Sequence, residues 1–401
     1  METCTAPTNI AVIKYWGKDS VEFNTPMNSS VSLTLDQSDL HTMTTVMASK
    51  TFPEDKFWLN ESEFPLNSRA KTVLKAVRKL AQDKVDPETG EVIVKKADWP
   101  QYHVHISSVN TFPTGAGLAS SAAGLACLVH TLTKVFNAKE TFPGEFSTIA
   151  RQGSGSASRS LYGGFVRWQK GQRADASDSI AIQVADENYW PEMRAVICVV
   201  SDKEKDTSST YGMETSKRTS PLLNYRAASV VEPRLAELEA AFLAKDFENF
   251  GRLTMMDSNQ FHAVCMDTYP PIFYMNDTSK TVIHLVHMIN RFFGCVKAAY
   301  TFDAGPNAVI YTLEKDAAIV MAVMSTCFPA TTTPDEYCNN PQYYRDCKGS
   351  YASIVPAELA AQIAKYRKPR AGDVNYMFYT KPGPGPMTLK DESLLDLNGK
   401  P

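Results

Sequence analysis

Glycines and hydroxyl side chains are concentrated in one stretch, Pro113 to Gly124, with the sequence PTGAGLASSAAG. Gly115 and Gly117 allow the backbone to bend and to approach a ligand closely. An apolar helical pattern begins nearby, and the N-terminus of a helix presents unpaired N–H groups and the positive end of the helix dipole. The stretch therefore predicts a loop that binds phosphate, with Ser121 reaching toward it.

The same stretch has a simpler interpretation. Small residues at the start of a helix also permit close packing against a sheet, and Ser is a common N-cap. The Gly-Lys-Ser/Thr ending of a Walker loop is absent, and Ser120 stands where a dinucleotide loop would have its third glycine. Taken alone, the loop leaves both phosphate binding and helix packing open.

Three other clusters carry charge or hydroxyl groups: Lys14–Lys18, Ser154–Arg159 and the turn Asp303–Asn307. Each has a structural alternative, because a lysine can be solvated, an arginine can pair with a surface carboxylate, and Asp favours turns. Brought together beside a phosphate loop, two cations and a carboxylate would suit an anionic substrate. An arginine also offers the two-pronged geometry that a carboxylate prefers.

Composition limits the possible functions. A chain of 401 residues favours two domains, and 43% hydrophobic with 21% charged residues is typical of a soluble globular protein. A net charge of −3 argues against binding to nucleic acid or to an anionic membrane. We find no signal-peptide pattern and no run that would span a bilayer. The eight cysteines form no Cys-x-x-Cys pair, so we expect no zinc site and a reduced, cytoplasmic protein.

Apolar periodicity predicts the elements that must position these clusters. Alternation indicates strands around Val31–Leu35 and over 102–106, the second of which leads into the phosphate loop. Apolar residues at helical spacing predict helices over 70–81 and 118–136. Further helices are predicted over 233–244, 247–256, 281–293 and 315–327, further strands over 195–200, 297–302, 308–312 and 376–380, a hairpin over 57–64 and a surface loop over 330–350. The mixed order favours two α+β domains, 1–190 and 191–401, with a cleft between them.

The clusters also occur in a familiar order along the chain. They are similar to the motifs of the mevalonate diphosphate decarboxylase family, a branch of the GHMP kinase superfamily. The matching segments are 6–18, 27–30, 112–123, 153–159, 256–262 and 300–308. The resemblance extends over about residues 4–386 and is weak at 330–375. This chain has Gly115 where the family usually has alanine, Ser158 where it usually has cysteine, and Asp19 where an arginine commonly stands.

The resemblance implies an ATP- and Mg²⁺-dependent reaction. The tertiary hydroxyl of mevalonate 5-diphosphate would be phosphorylated, and phosphate and carbon dioxide would then leave to give isopentenyl diphosphate. This is a step of the mevalonate pathway, which supplies isoprenoid and sterol precursors. The resemblance further implies a two-domain GHMP kinase-like fold, a small-molecule substrate and a homodimer.

The resemblance also assigns roles to residues. It implies that Asp303 is the general base and that Arg159, Lys18 and Ser121 are catalytic. Residues implied to contact the substrate are Tyr15, Trp16, Gly17, Lys18, Arg69, Ser154, Gly155, Ser156, Ala157, Ser158, Arg159 and Thr210. Residues implied to contact ATP are Ser107, Ser108, Asn110, Gly115, Gly117, Leu118, Ala119, Ser120 and Ser121. No metal ligand is assigned, and His262 is interpreted as a buried residue that supports the site.

Two other functions remain open at this point. A plain small-molecule kinase would use the same loop and stop after phosphoryl transfer, and a non-catalytic sensor would keep only the fold. The Ser-Gly-Ser-x-x-Arg and Phe-Asp-Ala-Gly-Pro-Asn motifs favour the decarboxylase over the kinase. The presence of Lys18, Arg159 and Asp303 argues against the sensor.

Overall fold

Two large sheets and two small two-stranded sheets contain the strands of the first half of the chain. The computed structural model describes residues 1–86, 88–111, 120–203 and 205–401, without the side chain of Ser120. The strands of this half are β1 (Glu2–Pro7), β2 (Asn9–Ile13), β3 (Lys18–Ser20), β4 (Thr25–Pro26), β5 (Ser30–Thr34), β6 (His41–Ser49), β7 (Lys56–Leu59), β8 (Ser62–Phe64), β9 (Lys84–Val85), β10 (Val92–Val94), β11 (His103–Asn110), β12 (Phe165–Trp168) and β13 (Ala181–Ala185). The second half adds β14 (Met193–Val199), β15 (Ala298–Phe302), β16 (Ala308–Leu313), β17 (Tyr376–Thr380) and β18 (Met387–Leu389).

Helices pack against the large sheets of both halves. Those of the first half are α1 (Ser68–Lys79), α2 (Ser120–Val135) and α3 (Glu145–Gly153), with 3₁₀ helices at Lys96–Gln101 and Gly155–Leu161. Those of the second half are α4 (Ser209–Thr219), α5 (Pro221–Tyr225), α6 (Val231–Leu243), α7 (Phe247–Asp267), α8 (Asp277–Phe293), α9 (Glu314–Cys327), α10 (Pro334–Tyr337), α11 (Pro341–Gly349), α12 (Tyr351–Ile354) and α13 (Ala357–Tyr366). None of the described helices is both long and apolar enough to cross a membrane.

The first half places β2 and the 3₁₀ helix Gly155–Leu161 side by side. Its larger sheet has the order β18-β1-β6-β11-β7-β8, and its smaller sheet has the order β13-β12-β5-β2. α2 packs on β6 and β1 through a wholly apolar face that includes Ala126, Val129 and Leu132, as its unbroken run of small and apolar residues predicts. β11 leads into residues 112–119, as expected for the strand before the loop.

The second half is built on the antiparallel sheet β15-β16-β14-β17. α7 is longer than the predicted segment 247–256. Asp246 caps its N-terminus by accepting from Asn249 N, and buried positions continue beyond 256 at Asp257, Phe261 and Val264. Because several of these buried residues are polar, a pattern based on apolar residues did not predict the second part of the helix. This part of α7 reaches the site described below.

The predicted surface loop at 330–350 is wrong. This segment forms α10 and α11, which begin after the capping residues Thr333 and Asn340, each followed by a proline at the first helical position. The buried side chains of the segment are those of Tyr337, Cys338, Tyr344 and Cys347, so no aliphatic periodicity marks these helices.

After β17 the chain returns to the first half. β18 pairs antiparallel with β1, with Thr3 opposite Leu389 and Thr5 opposite Met387. This segment belongs to the second domain in the prediction made from sequence, and it nevertheless extends the sheet of the first half.

Candidate active site

One cavity, with a volume of about 200 Å³, lies between the two halves of the chain. The first half contributes β2, the segment after it, the starts of α1 and α2, and the 3₁₀ helix Gly155–Leu161. The second half contributes the start of α4, one side of α7 and the turn after β15. The lining residues are Asn9, Ala11, Lys14, Tyr15, Trp16, Lys18, Asn24, Arg69, Ser121, Ser154, Gly155, Ser156, Arg159, Lys205, Ser209, Thr210, Met213, Phe261, Asp303 and Ala304.

A lysine–aspartate pair joins the two halves at this cavity. Lys14 follows β2 directly, and its Nζ donates to Oδ1 of Asp303 at 2.5 Å. The lysine side chain is 3% exposed and the aspartate side chain 30%, so the carboxylate faces the cavity while the ammonium group lies behind it. Burial lowers the pKa of Lys14, and the Asp303 carboxylate opposes this shift by favouring the charged form.

The backbone around Asp303 is fixed by its turn. β15 ends at Phe302, and Gly305 N donates to Asp303 O at 2.8 Å. The side-chain oxygen of Asn307 accepts from Val200 N at 2.7 Å and Ser201 N at 3.0 Å, which ties the turn to the end of β14. The Asp-Ala-Gly-Pro-Asn segment is therefore a structural turn and also the support of a cavity carboxylate.

Arg159 is a second cation in the cavity lining and is buried, 2% exposed. Its guanidinium donates to three neutral oxygens, those of Asn9 at 3.2 Å, Ser32 at 2.9 Å and Ser30 at 2.5 Å. Burial lowers its pKa to about 10, with Asp303 opposing, so the group stays charged at neutral pH. A buried charge held by neutral partners favours the binding of an anion in the adjoining cavity.

Two glycines give the cavity lining its shape. A Cβ at Gly155 would lie 2.7 Å from the Trp168 ring and 3.1 Å from Tyr15, so only glycine allows the 3₁₀ helix to lie this close. Gly17 has a φ of +83° and accepts from Met27 N at 3.1 Å. It does not line the cavity, but it forms the bend between Trp16 and Lys18, which do.

Three further cations line the cavity: Arg69, which is exposed, and Lys18 and Lys205, which are half-buried. Arg69 at the start of α1 donates to Thr210 of α4 at 3.2 Å, and this contact bridges the two halves. Partial burial and the nearby Arg69 lower the pKa of Lys18. Lys205 donates to Ala304 O at 3.0 Å and to Ser209 at 3.2 Å. These cations favour a strongly anionic ligand group at the cavity entrance.

Several residues predicted from sequence do not reach the cavity. Ala157 and Ser158 are buried in the 3₁₀ helix, where Ser158 donates to Gly155 O at 2.8 Å. Ser107 and Ser108 are buried within β11, and Asn110 at its end accepts from Thr42 at 2.6 Å. Gly115, Gly117, Leu118, Ala119 and the side chain of Ser120 lie outside the described residues. The structure does bring together Tyr15, Trp16, Lys18, Arg69, Ser121, Ser154, Gly155, Ser156, Arg159, Thr210 and Asp303.

Sequence reasoning missed Lys14, although it lies in the same cluster as Lys18. The available signal was its place directly after the apolar strand Ile10–Ile13, where a lysine side chain has little access to solvent. Lys205 lies in a polar stretch and carries no comparable signal. The other lining residues not predicted are Asn9, Ala11, Asn24, Ser209, Met213, Phe261 and Ala304.

The Lys14 pair predicts the pH dependence of any reaction in this cavity. Because burial lowers the pKa of Lys14, we expect kcat/KM to fall as pH rises through a value below the ordinary lysine value of about 10.4. In Lys14→Arg the cation stays protonated, so the basic limb should move to higher pH. Measurement of kcat/KM against pH for both proteins tests this, and coincident basic limbs would contradict it.

The comparisons with known proteins agree with one another. A family model for the diphosphomevalonate decarboxylase-like N-terminal domain matches residues 6–181, and one for the mevalonate 5-diphosphate decarboxylase C-terminal domain matches residues 195–389. The diphosphomevalonate decarboxylase of Danio rerio is 49% identical over 397 residues, which cover 98% of this chain and 94% of that protein.

Solved structures match over nearly the whole chain. A crystal structure of mevalonate 5-diphosphate decarboxylase is 41% identical, with a TM-score of 0.85, and the match covers 99% of this chain and 98% of that one. The structure of MDDEF in complex with MVAPP, AMPPCP and magnesium is 28% identical in sequence, with a TM-score of 0.70. The match covers 97% of this chain and 98% of that one. Sequence identity and the shared two-part fold over this length lead to one conclusion: the chain belongs to the diphosphomevalonate decarboxylase family.

Proposed function

We propose that this protein catalyses the ATP-dependent decarboxylation of mevalonate 5-diphosphate to isopentenyl diphosphate, with ADP, phosphate and carbon dioxide as the other products. The observation that carries the proposal is the composition of one cavity. A carboxylate held by a buried lysine and a buried arginine held by neutral oxygens face the same space. A hydroxy acid that must be both activated at its hydroxyl and held at its carboxylate needs these two groups.

Asp303 receives the proton of the tertiary hydroxyl. Phosphoryl transfer passes through a loose transition state, so positioning matters more than strong deprotonation. Lys14 holds one oxygen of the carboxylate at 2.5 Å and thereby orients it toward the cavity. The hydroxyl is then aligned for transfer, and its proton leaves late.

Arg159 holds the carboxylate that is lost as carbon dioxide. Tight binding of that carboxylate in the ground state would oppose its loss, because only interactions stronger in the transition state raise the rate. The useful role of Arg159 is therefore orientation. It aligns the C–C bond that breaks with the carbon that becomes electron-poor when phosphate departs.

Lys18 and Arg69 bind the diphosphate of the substrate at the cavity entrance. Because that group remains unchanged in the reaction, we expect Arg69→Ala to raise KM for mevalonate 5-diphosphate about tenfold and to change kcat much less. Steady-state kinetics at saturating ATP test this. Lys71→Ala, on the same helix but outside the cavity lining, is the control. A loss confined to kcat would contradict the assignment.

The residues present fit ATP and Mg²⁺. The Ser121 hydroxyl is exposed in the first turn of α2 and lines the cavity, where it would hold the γ-phosphate or its metal ion. The described residues contain no group of three or more acidic, histidine or cysteine side chains that could hold a metal. This is compatible with Mg²⁺, which is usually held by substrate phosphates, water and few protein oxygens. When bound, ATP supplies the phosphoryl group and Mg²⁺ offsets its charge.

We also propose that the protein acts in the cytoplasm as a homodimer and that its product feeds isoprenoid and sterol synthesis. Support for this proposal comes from the family resemblance. Light scattering during gel filtration tests the oligomeric state, and a mass of one chain would contradict the dimer.

One assay tests the proposed reaction. The protein is supplied with mevalonate 5-diphosphate, ATP and Mg²⁺, and ADP, free phosphate and carbon dioxide are measured together. Equal amounts of all three support the decarboxylase. ADP without carbon dioxide would indicate a kinase that stops after phosphoryl transfer, and the absence of all products would indicate a non-catalytic protein.

A further inference from the structure

Two adjacent residues of α7, Asp257 and Ser258, accept hydrogen bonds from the main chain at the Lys14–Asp303 pair. Lys14 N donates to Oδ2 of Asp257 at 2.7 Å. Phe302 N donates to Oγ of Ser258 at 3.0 Å, and Phe302 directly precedes Asp303. Asp257 and Ser258 are 0% and 1% exposed and do not line the cavity. One turn of one helix therefore contacts the main chain at Lys14, directly after β2, and at Phe302, the last residue of β15.

Asp257 is itself held rigidly. Arg226 donates to its two oxygens at 2.7 and 2.8 Å, and Arg234 donates to Oδ1 at 3.0 Å. Arg226 also donates to Lys14 O at 3.1 Å, so both main-chain polar groups of Lys14 are bound. Burial disfavours ionisation of Asp257, but Arg226 and the Lys14 N–H outweigh it and hold the pKa of Asp257 below its usual range.

We propose that Asp257 and Ser258 are positioning residues, which set the distance between the Lys14 ammonium group and the Asp303 carboxylate. β2 comes from the first half of the chain and β15 from the second, and these strands belong to different sheets. These two strands share no ladder, and a direct contact between them, from Thr301 Oγ1 to Ala11 O, is long at 3.5 Å. The hydrogen bonds from Lys14 N and Phe302 N to α7 fix the relative position of the two segments beside the Lys14–Asp303 pair. The inference rests on the proposed function and assigns to it two residues outside the cavity.

A purely structural role is the alternative, because buried ionic networks also contribute to stability. The two roles differ in what they change. A structural residue alters the amount of folded protein, which lowers activity at every pH by the same factor. A positioning residue alters the contact between Lys14 and Asp303, and so alters the ionisation of Lys14.

Ser258→Ala provides the test, because it removes one hydroxyl and no charge. The groups that influence Lys14 are Asp303, Asp257, Arg159 and His262, and all of them remain in this variant. We expect kcat to fall about tenfold or more with little change in KM, since a misplacement of about 1 Å can cost 10²-fold. We also expect the basic limb of kcat/KM to move to lower pH, because a longer contact with Asp303 leaves the effect of burial on Lys14 less opposed.

Thr254→Val is the matched control. Thr254 lies one turn earlier in α7, is fully buried, and donates only to Phe250 O of its own helix at 2.8 Å. Its variant should keep the wild-type pH profile. Asp257→Asn should show the same shift as Ser258→Ala if it folds, and the Ser258 variant decides the question if it does not.

The outcomes separate the two proposals. An active wild-type protein whose Ser258→Ala variant keeps kcat and the pH profile would overturn the positioning role alone. Equal losses in Ser258→Ala and Thr254→Val, without a shift in pH, would likewise overturn it in favour of a structural role. A wild-type protein without carbon dioxide release would overturn the proposed function, and the positioning role in that reaction with it.

Discussion

Asp303→Asn is expected to lower kcat about 10²- to 10⁴-fold, the range that general acid–base catalysis usually contributes. The amide has nearly the same shape as the carboxylate, so the cavity keeps its form. It cannot accept the proton of the substrate hydroxyl, and it no longer offers a charge to Lys14 at 2.5 Å. Release of ADP and of carbon dioxide should fall together, because phosphorylation precedes the loss of carbon dioxide.

Asp316→Asn is the matched control for Asp303→Asn. Asp316 accepts from Lys297 at 2.6 Å, and its side chain is 10% exposed, but the pair lies outside the cavity lining. The Asp316→Asn variant therefore shows how the loss of a comparable ion pair affects folding. Thermal unfolding of both variants measures this effect. Full turnover in Asp303→Asn, or an equal loss in Asp316→Asn, would refute the assignment of Asp303 as base.

Arg159→Ala is expected to lower kcat about 10³-fold and to weaken substrate binding about tenfold or less. Arg159 aligns the bond that breaks, and a misplacement of about 1 Å can already cost about 10²-fold in rate, so the loss of the whole guanidinium should cost more. The diphosphate retains Lys18 and Arg69, which dominate affinity at the entrance. Binding is measured by calorimetry without ATP, and turnover by the release of carbon dioxide.

Two lysine substitutions sharpen the Arg159 experiment. Arg159→Lys keeps the charge and loses the planar fork, so we expect an intermediate loss of kcat. Arg151→Lys is its counterpart outside the cavity. Arg151 is 1% exposed, burial also lowers its pKa to about 10, and its partners are the main-chain oxygens of Phe23, Ala176 and Ser179. An Arg159→Ala protein with normal turnover and a large loss of affinity would contradict orientation as its role.

Local patterns predicted most elements of the fold. The alternation around Val31–Leu35 is β5, and the helical spacing over 70–81 is α1, because burial on one face imposes a period that a single segment can display. The failures occur where that period is hidden. α10 and α11 bury aromatic and cysteine side chains, and the second part of α7 buries Asp257 and other polar groups that only the folded chain satisfies.

The candidate site, like the fold, was predicted from sequence only in part. The clusters containing Arg159 and Asp303 were visible because unusual residue types stand close together in sequence. Lys14 and Lys18 have the same side chain four residues apart. The place of Lys14 after an apolar strand indicates burial, but only the fold shows that its partner is Asp303, nearly 290 residues away. The partners of Arg159 come from β2 and β5, about 130 to 150 residues away, so no local pattern could reveal them.

The pairing of β18 with β1 has a consequence for the order of folding during synthesis. β1 precedes β18 in the chain by more than 370 residues, so the edge of β1 that pairs with β18 stays open until residue 389 has been made and released. An open strand edge can pair with another chain. The sheet β18-β1-β6-β11-β7-β8 is thus completed only after the second half has been translated, and nascent chains halted before residue 387 should be the aggregation-prone species.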